Sequence, residues 1–240
     1  MRVHAFHRLY QHRLSLSTKP FQARGAKVER CQYCQVAIEH CLCAHQPDVH
    51  SQIAVLLLVS ENEVFKPSNT GRLIADMIKD THVYQWNRTD PDKAMLKILR
   101  DERYQPVIIF PEEYVEEPAR VLAQGEKLVG SDKIPLLIFL DGSWREARRM
   151  FRKSPYLDAF PVLSIHPETL SQYQMRSSAN DQHLATAEVA ALVLKQLGEV
   201  AAAQALNLWF AAFRESYLLS KTRLKPDLTK PALAEYLAHY

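Results

Sequence analysis

Residues 53–59 (IAVLLLV), 107–110 (VIIF) and 136–140 (LLIFL) are apolar at every position. A strand with one wet face alternates polar and apolar residues. Unbroken runs of this kind suit strands covered on both sides, as in parallel sheets flanked by helices. Shorter apolar segments at 83–86 and 162–165 fit two further strands. Between the runs lie helical patterns: Leu73, Ile74, Met77 and Ile78 share one side of a helix, and 90–100 reads as another. Residues 112–125 read as helical in part. Residues 185–219 read as helix interrupted at Gly198, with a first half that is apolar nearly all round and therefore buried. A short terminal helix is expected from Ala232. Strands alternating with helices predict an α/β domain with a mostly parallel sheet and helices on both faces. The stretch 166–182 is polar and aperiodic, a long loop of the kind that tends to be functional.

The stretch 135–153 (PLLIFLDGSWREARRMFRK) organises the rest. Its apolar run stops at Asp141 and Gly142. Ser143 followed three residues later by Glu146 is a capping-box pattern, which makes Ser143 the N-cap and Trp144 the first helical residue. A carboxylate, a glycine, a hydroxyl and an indole thus share one strand-to-helix turn at the carboxyl end of a strand, where open α/β sheets bind ligands. Asp141 there either caps the helix or accepts a proton from a bound substrate. Trp144 is either core or a platform for a base. Trp144, Ala147 and Phe151 recur on one helix face, while Arg145, Arg148, Arg149 and Arg152 cover the other, and no acid follows Glu146 until Asp158. That face is either plain solvated surface or a seat for phosphates. Further polar turns that close apolar segments are Pro111, Ser68 to Gly71, and Thr186-Ala187-Glu188. Glu188 has a local reason to sit at a helix start, where an acid complements the dipole. The glycine loops of dinucleotide and P-loop sites are absent, as are HExxH and GxSxG.

All four cysteines fall within CQYCQVAIEHCLC: Cys31, Cys34, Cys41 and Cys43. Four thiolates on two tight turns select zinc, and a filled ligand set leaves no open position, so the metal is expected to be structural. The chain has 240 residues and a net charge of +3, with no apolar run of the ~18 residues that a membrane helix needs. Residues 1–30 carry seven basic residues against one acid, Glu29. They read as a nucleic-acid arm, an Arg-rich presequence or a solvated terminus. Without an apolar signal segment, the expected location is the cytoplasm. The expected division is a basic segment at 1–30, a zinc knuckle at 31–45 and one domain at 46–240.

In combination these residues resemble the DTW-domain family, whose D-x-T-W signature stands here as Asp141-Gly142-Ser143-Trp144. Asn69-Thr70-Gly71-Arg72-Leu73 looks like its NTGRL segment, Phe110-Pro111 like its aromatic-proline turn, and Thr186-Ala187-Glu188 like its [ST]-x-E segment. Serine replaces the signature threonine, and Ser60-Glu61 replaces the His-Pro that usually precedes NTGRL. The resemblance implies a SPOUT-like, knotted α/β enzyme that transfers the 3-amino-3-carboxypropyl group of S-adenosylmethionine to N3 of a uridine in the tRNA variable loop. It implies catalytic roles for Asp141, Ser143 and Trp144. Pro111, Asp141, Gly142, Trp144, Thr186 and Glu188 are expected to line the donor. Contact with tRNA is expected at Asn69, Thr70, Arg72, the four helix arginines and Arg176. Two rivals remain: a SPOUT-type RNA methyltransferase, and a non-catalytic zinc-dependent RNA-binding protein.

Overall fold

A computed structural model describes residues 1–18, 28–122, 128, 132–164, 184–220 and 227–240. The chain opens with α1 (Ala5–Ser15), and the cysteine segment follows with 3₁₀ turns at Ile38–His40 and Cys43–His45. Then come β1 (Ala54–Val59), α2 (Gly71–Met77), β2 (Thr81–Gln85), α3 (Lys93–Leu99), β3 (Tyr104–Ile109), β4 (Ile134–Asp141), α4 (Trp144–Arg152) and β5 (Val162–Leu163). Among the described residues, α5 (Thr186–Gln196), α6 (Val200–Leu219) and α7 (Pro231–His239) follow. The strands form one sheet in the order β2-β1-β4-β3-β5, every pair parallel.

Burial explains the continuous apolar runs. Every residue of β1 is buried, and so is β4 from Pro135 onward. Val55, Leu57, Val59, Leu137 and Phe139 face a larger core shared with α1, α2, α5, α6 and α7. Ala54, Leu56, Leu58, Leu136, Ile138 and Leu140 face a smaller one shared with α3 and α4. Polar side chains on either face would forgo the roughly 1.5–3 kcal/mol that each buried aliphatic side chain contributes. The knot implied by the resemblance would depend on residues 165–183, between β5 and α5, which lie outside the described residues, as does the loop expected at 166–182.

Neighbouring strands β1 and β4 send their chains to opposite faces. Helix α2, after β1, packs in the larger core, whereas α4, after β4, packs in the smaller one. This makes the carboxyl edge between β1 and β4 a topological switch point, the place where α/β sheets open a crevice for ligands. Register puts Val59 beside Asp141, and the Ser60 amide donates to the Asp141 carbonyl at 2.8 Å.

The structure excludes one of the three readings of the amino-terminal segment. Residues 1–18 are not a solvated terminus: Phe6 is buried in the larger core, the Arg2 guanidinium donates to the carbonyls of Ala75 and Asp76, and His4 Nε2 lies 2.9 Å from Asp76 Oδ1. Of the stretch 112–125, read as helical in part, the described residues end at 122 and form 3₁₀ turns at Glu112–Tyr114 and Pro118–Arg120. Pro118 disfavours a helical Glu117, which holds φ −107° and ψ 98°, so no helix propagates through it. The break at Gly198 is as expected. The residue takes φ +85°, a left-handed conformation that glycine adopts without a Cβ penalty at a helix end. Among the described residues, no helix is long and apolar enough to cross a membrane.

Candidate active site

Strand β4 alternates its side chains, so Asp141 follows Leu137 and Phe139 toward the larger face. There its carboxylate gathers two distant segments. Oδ2 accepts from the Asn69 amide at 2.7 Å, and Oδ1 accepts from the Thr186 hydroxyl at 2.6 Å. The carboxylate is almost closed off, at 3% exposure, while Thr186 is half-buried and forms the more open end of the arrangement. Gly71 backs it: a Cβ at that position would lie 2.6 Å from Asp141 Oδ2, so the close approach of α2 requires glycine.

The Asn69 loop has its own framework. The Asn69 side-chain oxygen accepts from the Arg72 amide at 3.1 Å. The Arg72 guanidinium donates to the carbonyls of Pro67 and Asn69 at 3.0 and 3.1 Å, sandwiched between the rings of Phe6 and Phe213. Thr70 Oγ1 accepts from the Ala187 amide at 3.4 Å, tying the loop to the start of α5. Glu188 completes that start by accepting from the Ala185 amide at 2.7 Å. Its carboxylate therefore fixes the turn that presents Thr186.

Burial pushes the Asp141 carboxyl up from 3.8 to about 6. The hydrogen bonds from Thr186 and Asn69 favour the charged form and limit the rise, the Glu63 carboxylate adds to it, and Arg72 opposes it. At neutral pH the group is mostly ionised, yet close enough to titration to take a proton and return it.

The indole occupies the other side of the sheet edge. Trp144 stacks on Phe110 with centroids 5.5 Å apart, Phe110 stacks on Phe151 at 4.3 Å, and Tyr114 meets Trp144 edge-on at 5.3 Å. All belong to the smaller core or its margin. Asp141 and Trp144, three residues apart, thus lie on opposite faces, which corrects the expectation of a carboxylate beside an indole. Ser143 also leaves the expected catalytic set, because its hydroxyl and amide both donate to Glu146 Oε2, at 2.6 and 2.9 Å. That is the capping box read from the sequence. Ile108 pairs with Ile138, so Pro111 and Asp141, three residues further along each chain, end at one level.

The tRNA-contact set divides. Arg145, Arg149 and Arg152 are exposed on α4, with the Arg149 guanidinium 5.5 Å from the Trp86 ring. Arg148 is half-buried over the rings of Tyr114 and Trp144. Asn69 and Arg72 are 3% and 2% exposed, so they build the loop instead of meeting RNA. Thr70 is half-buried, and Arg176 lies outside the described residues.

The four cysteines converge as their spacing implied. Cys31 and Cys43 sulfurs are 3.6 Å apart, Cys34 and Cys41 sulfurs 3.8 Å, and all four lie within 4.8 Å of one another. A tetrahedron with Zn–S bonds of 2.3 Å has edges of about 3.8 Å. The donor set is therefore compatible with zinc. Cys34, Val36 and Leu42 also join the larger core, which makes the knuckle part of the domain's own packing.

The family model described as the DTW domain matches residues 28–218. The chain belongs to the DTW-domain family. No solved structure matches it. The DTW match takes in the knuckle, the whole sheet and α5, but leaves α1 and α7 outside. Membership is consistent with a tRNA-modifying function. Within the DTW domain, sequence reasoning missed that Asn69 serves Asp141 and that Arg72 is buried beneath the loop. The one signal for it was Gly71, a glycine at the first position of a helix, which marks a close approach.

Proposed function

We propose that the protein is an S-adenosylmethionine-dependent tRNA-uridine aminocarboxypropyltransferase. It moves the 3-amino-3-carboxypropyl group to N3 of a variable-loop uridine and releases methylthioadenosine. The observation that supports this reading best is the Asp141 carboxylate, buried, raised to about 6 and hydrogen-bonded to the hydroxyl of half-buried Thr186 at the switch point of a DTW domain.

The donor brings its own leaving group, a sulfonium. What the chain must add is position, exclusion of water and removal of the N3 proton, whose pKa lies well above neutral. With both Asp141 oxygens already accepting, the substrate's proton reaches the carboxylate through Thr186. The Thr186 oxygen takes the N3 proton while its own proton passes to Asp141 Oδ1. The N3–C bond forms as the C–S bond breaks, and the C–S electron pair stays on sulfur. Burial makes Asp141 a better proton acceptor than a surface carboxylate, and Asn69 holds its second oxygen in place throughout. Pro111, Gly142 and Trp144 line the donor along the carboxyl edge of β3 and β4. Arg145, Arg148, Arg149 and Arg152 receive the tRNA backbone, and the cysteines hold a structural zinc.

The test is incubation of purified protein with unmodified tRNA and adenosylmethionine labelled in either the amino-acid portion or the methyl group. The expected result is amino-acid label in one uridine, with methylthioadenosine released. Methyl label and adenosylhomocysteine would make the protein a methyltransferase, and tRNA binding without turnover would make it a binding protein.

A further inference from the structure

Strand β2 forms one edge of the sheet, and α1 packs against it. Between them, bounded by the segment that leads into α3, runs an open groove of about 820 Å³. Arg8, His12 and Arg13 line it from α1, His82 and Tyr84 from β2, and Lys93 from the far side. Two acids also border it, Asp90 and Asp92, but Asp92 is engaged in accepting from the amides of Ala94 and Met95 at the start of α3. Arg13 is partly neutralised by Glu61, at 3.3 Å. Arg8 and Lys93 are exposed, and among the described residues neither has an acidic partner.

The groove points at the candidate active site. Val59 pairs with Gln85 on one side and Asp141 on the other. The groove's Gln85 end is therefore level with the Asp141 backbone and two strand spacings away, about 10 Å. The next residue, Trp86, is the ring that carries Arg149 of α4. Groove and arginine helix thus adjoin at Trp86, with the carboxyl edge of β1 and β4 beside them. Cations interleaved with aromatic rings fit a nucleic-acid strand, which offers phosphates to the one and bases to the other. A peptide adding as a sixth strand would compete with α1, which packs against β2.

We propose that this groove holds a backbone segment of the tRNA, so that the substrate straddles the sheet edge between α1 and α4. The inference rests on the tRNA reading above. It assigns to α1, which the family match does not include, a role in substrate binding.

The full-length protein and unmodified tRNA provide the test, by fluorescence anisotropy across a salt series. The double variant R8E/K93E is compared with wild type and with R145E/R152E on α4. The expected loss for R8E/K93E is on the order of tenfold in affinity at physiological salt. The slope of log K against log salt should fall in magnitude by roughly 0.7–0.9 for each phosphate no longer neutralised. Thermal midpoint and adenosylmethionine affinity should stay at wild-type values. Unchanged tRNA affinity and slope in R8E/K93E, with R145E/R152E weakened, would overturn the groove, leave it to a protein ligand and spare the tRNA reading. Wild type that binds no tRNA would overturn both.

Discussion

Asp76 and Asp141 are both buried on the same face of one sheet, at 6% and 3% exposure, yet their surroundings drive them apart. For Asp76, burial alone would raise the carboxyl. The hydrogen bond from His4 at 2.9 Å and the charge beside it, together with the Trp209 indole at 3.0 Å, outweigh burial and bring the group below 3.8. Gln46 donates to the same carboxylate at 3.2 Å. For Asp141, burial wins, because its hydrogen-bond partners are a neutral amide and a neutral hydroxyl. The first carboxylate joins α1, α2 and α6 and supports the fold. The second is held in a state that the fold alone does not favour, the condition expected of a group retained for chemistry.

The pH dependences follow with opposite signs. Between pH 3.8 and about 6 the folded chain binds more protons at Asp141 than the unfolded chain does, so its contribution to stability falls as pH rises through that window. A shift of that size corresponds to about 3 kcal/mol. Asp76 contributes above pH 3.8, and its contribution is lost as pH drops through its lowered folded value.

Five outcomes would sharpen or break the contrast. The largest is catalytic: Asp141→Asn should cut turnover by roughly 10²–10⁴-fold, the range for losing a proton acceptor, with tRNA affinity retained in a binding assay. Next, Asp76→Ala leaves the buried His4 and Trp209 ring nitrogens without their acceptor. Urea unfolding should show a loss of about 3–5 kcal/mol. The same urea series should find Asp141→Asn more stable than wild type at pH 7, by up to about 3 kcal/mol, so that one substitution stabilises while it inactivates. Gly71→Ala drives a methyl into the Asp141 carboxylate and should destabilise by about 1–3 kcal/mol, with turnover falling alongside. Thr186→Val removes the hydroxyl proposed to relay the N3 proton, so turnover should fall as in Asp141→Asn. The smallest effect is on pH: the same change removes a hydrogen bond that favours the ionised acid and should move the acid limb of residual activity above pH 6. Thr186→Ser should restore it.

Local features were legible in the sequence. Two-sided burial imprinted itself on β1, β3 and β4 as unbroken apolar runs, and the Ser143–Glu146 cap spans only three residues. The Asp141 site was half legible. Its turn could be placed, but Asn69 and Thr186 lie 72 and 45 residues away, and their arrival depends on α2 and α5 sharing one face of the sheet. No local pattern encodes that. Nearness in sequence misled for Trp144, because β4 aims Asp141 at one face while α4 departs along the other. Basic residues near the amino terminus left a nucleic-acid arm, a presequence and a solvated terminus all open, whereas Phe6 and His4 decide how α1 docks.

The central claim concerns the state of one carboxylate, and carboxyl-carbon NMR of the Asp-labelled protein reads it directly. Asp141, assigned by its absence in Asp141→Asn, should titrate with a midpoint near 6, well above Asp76. A midpoint at or below 3.8 would contradict the proposed chemistry.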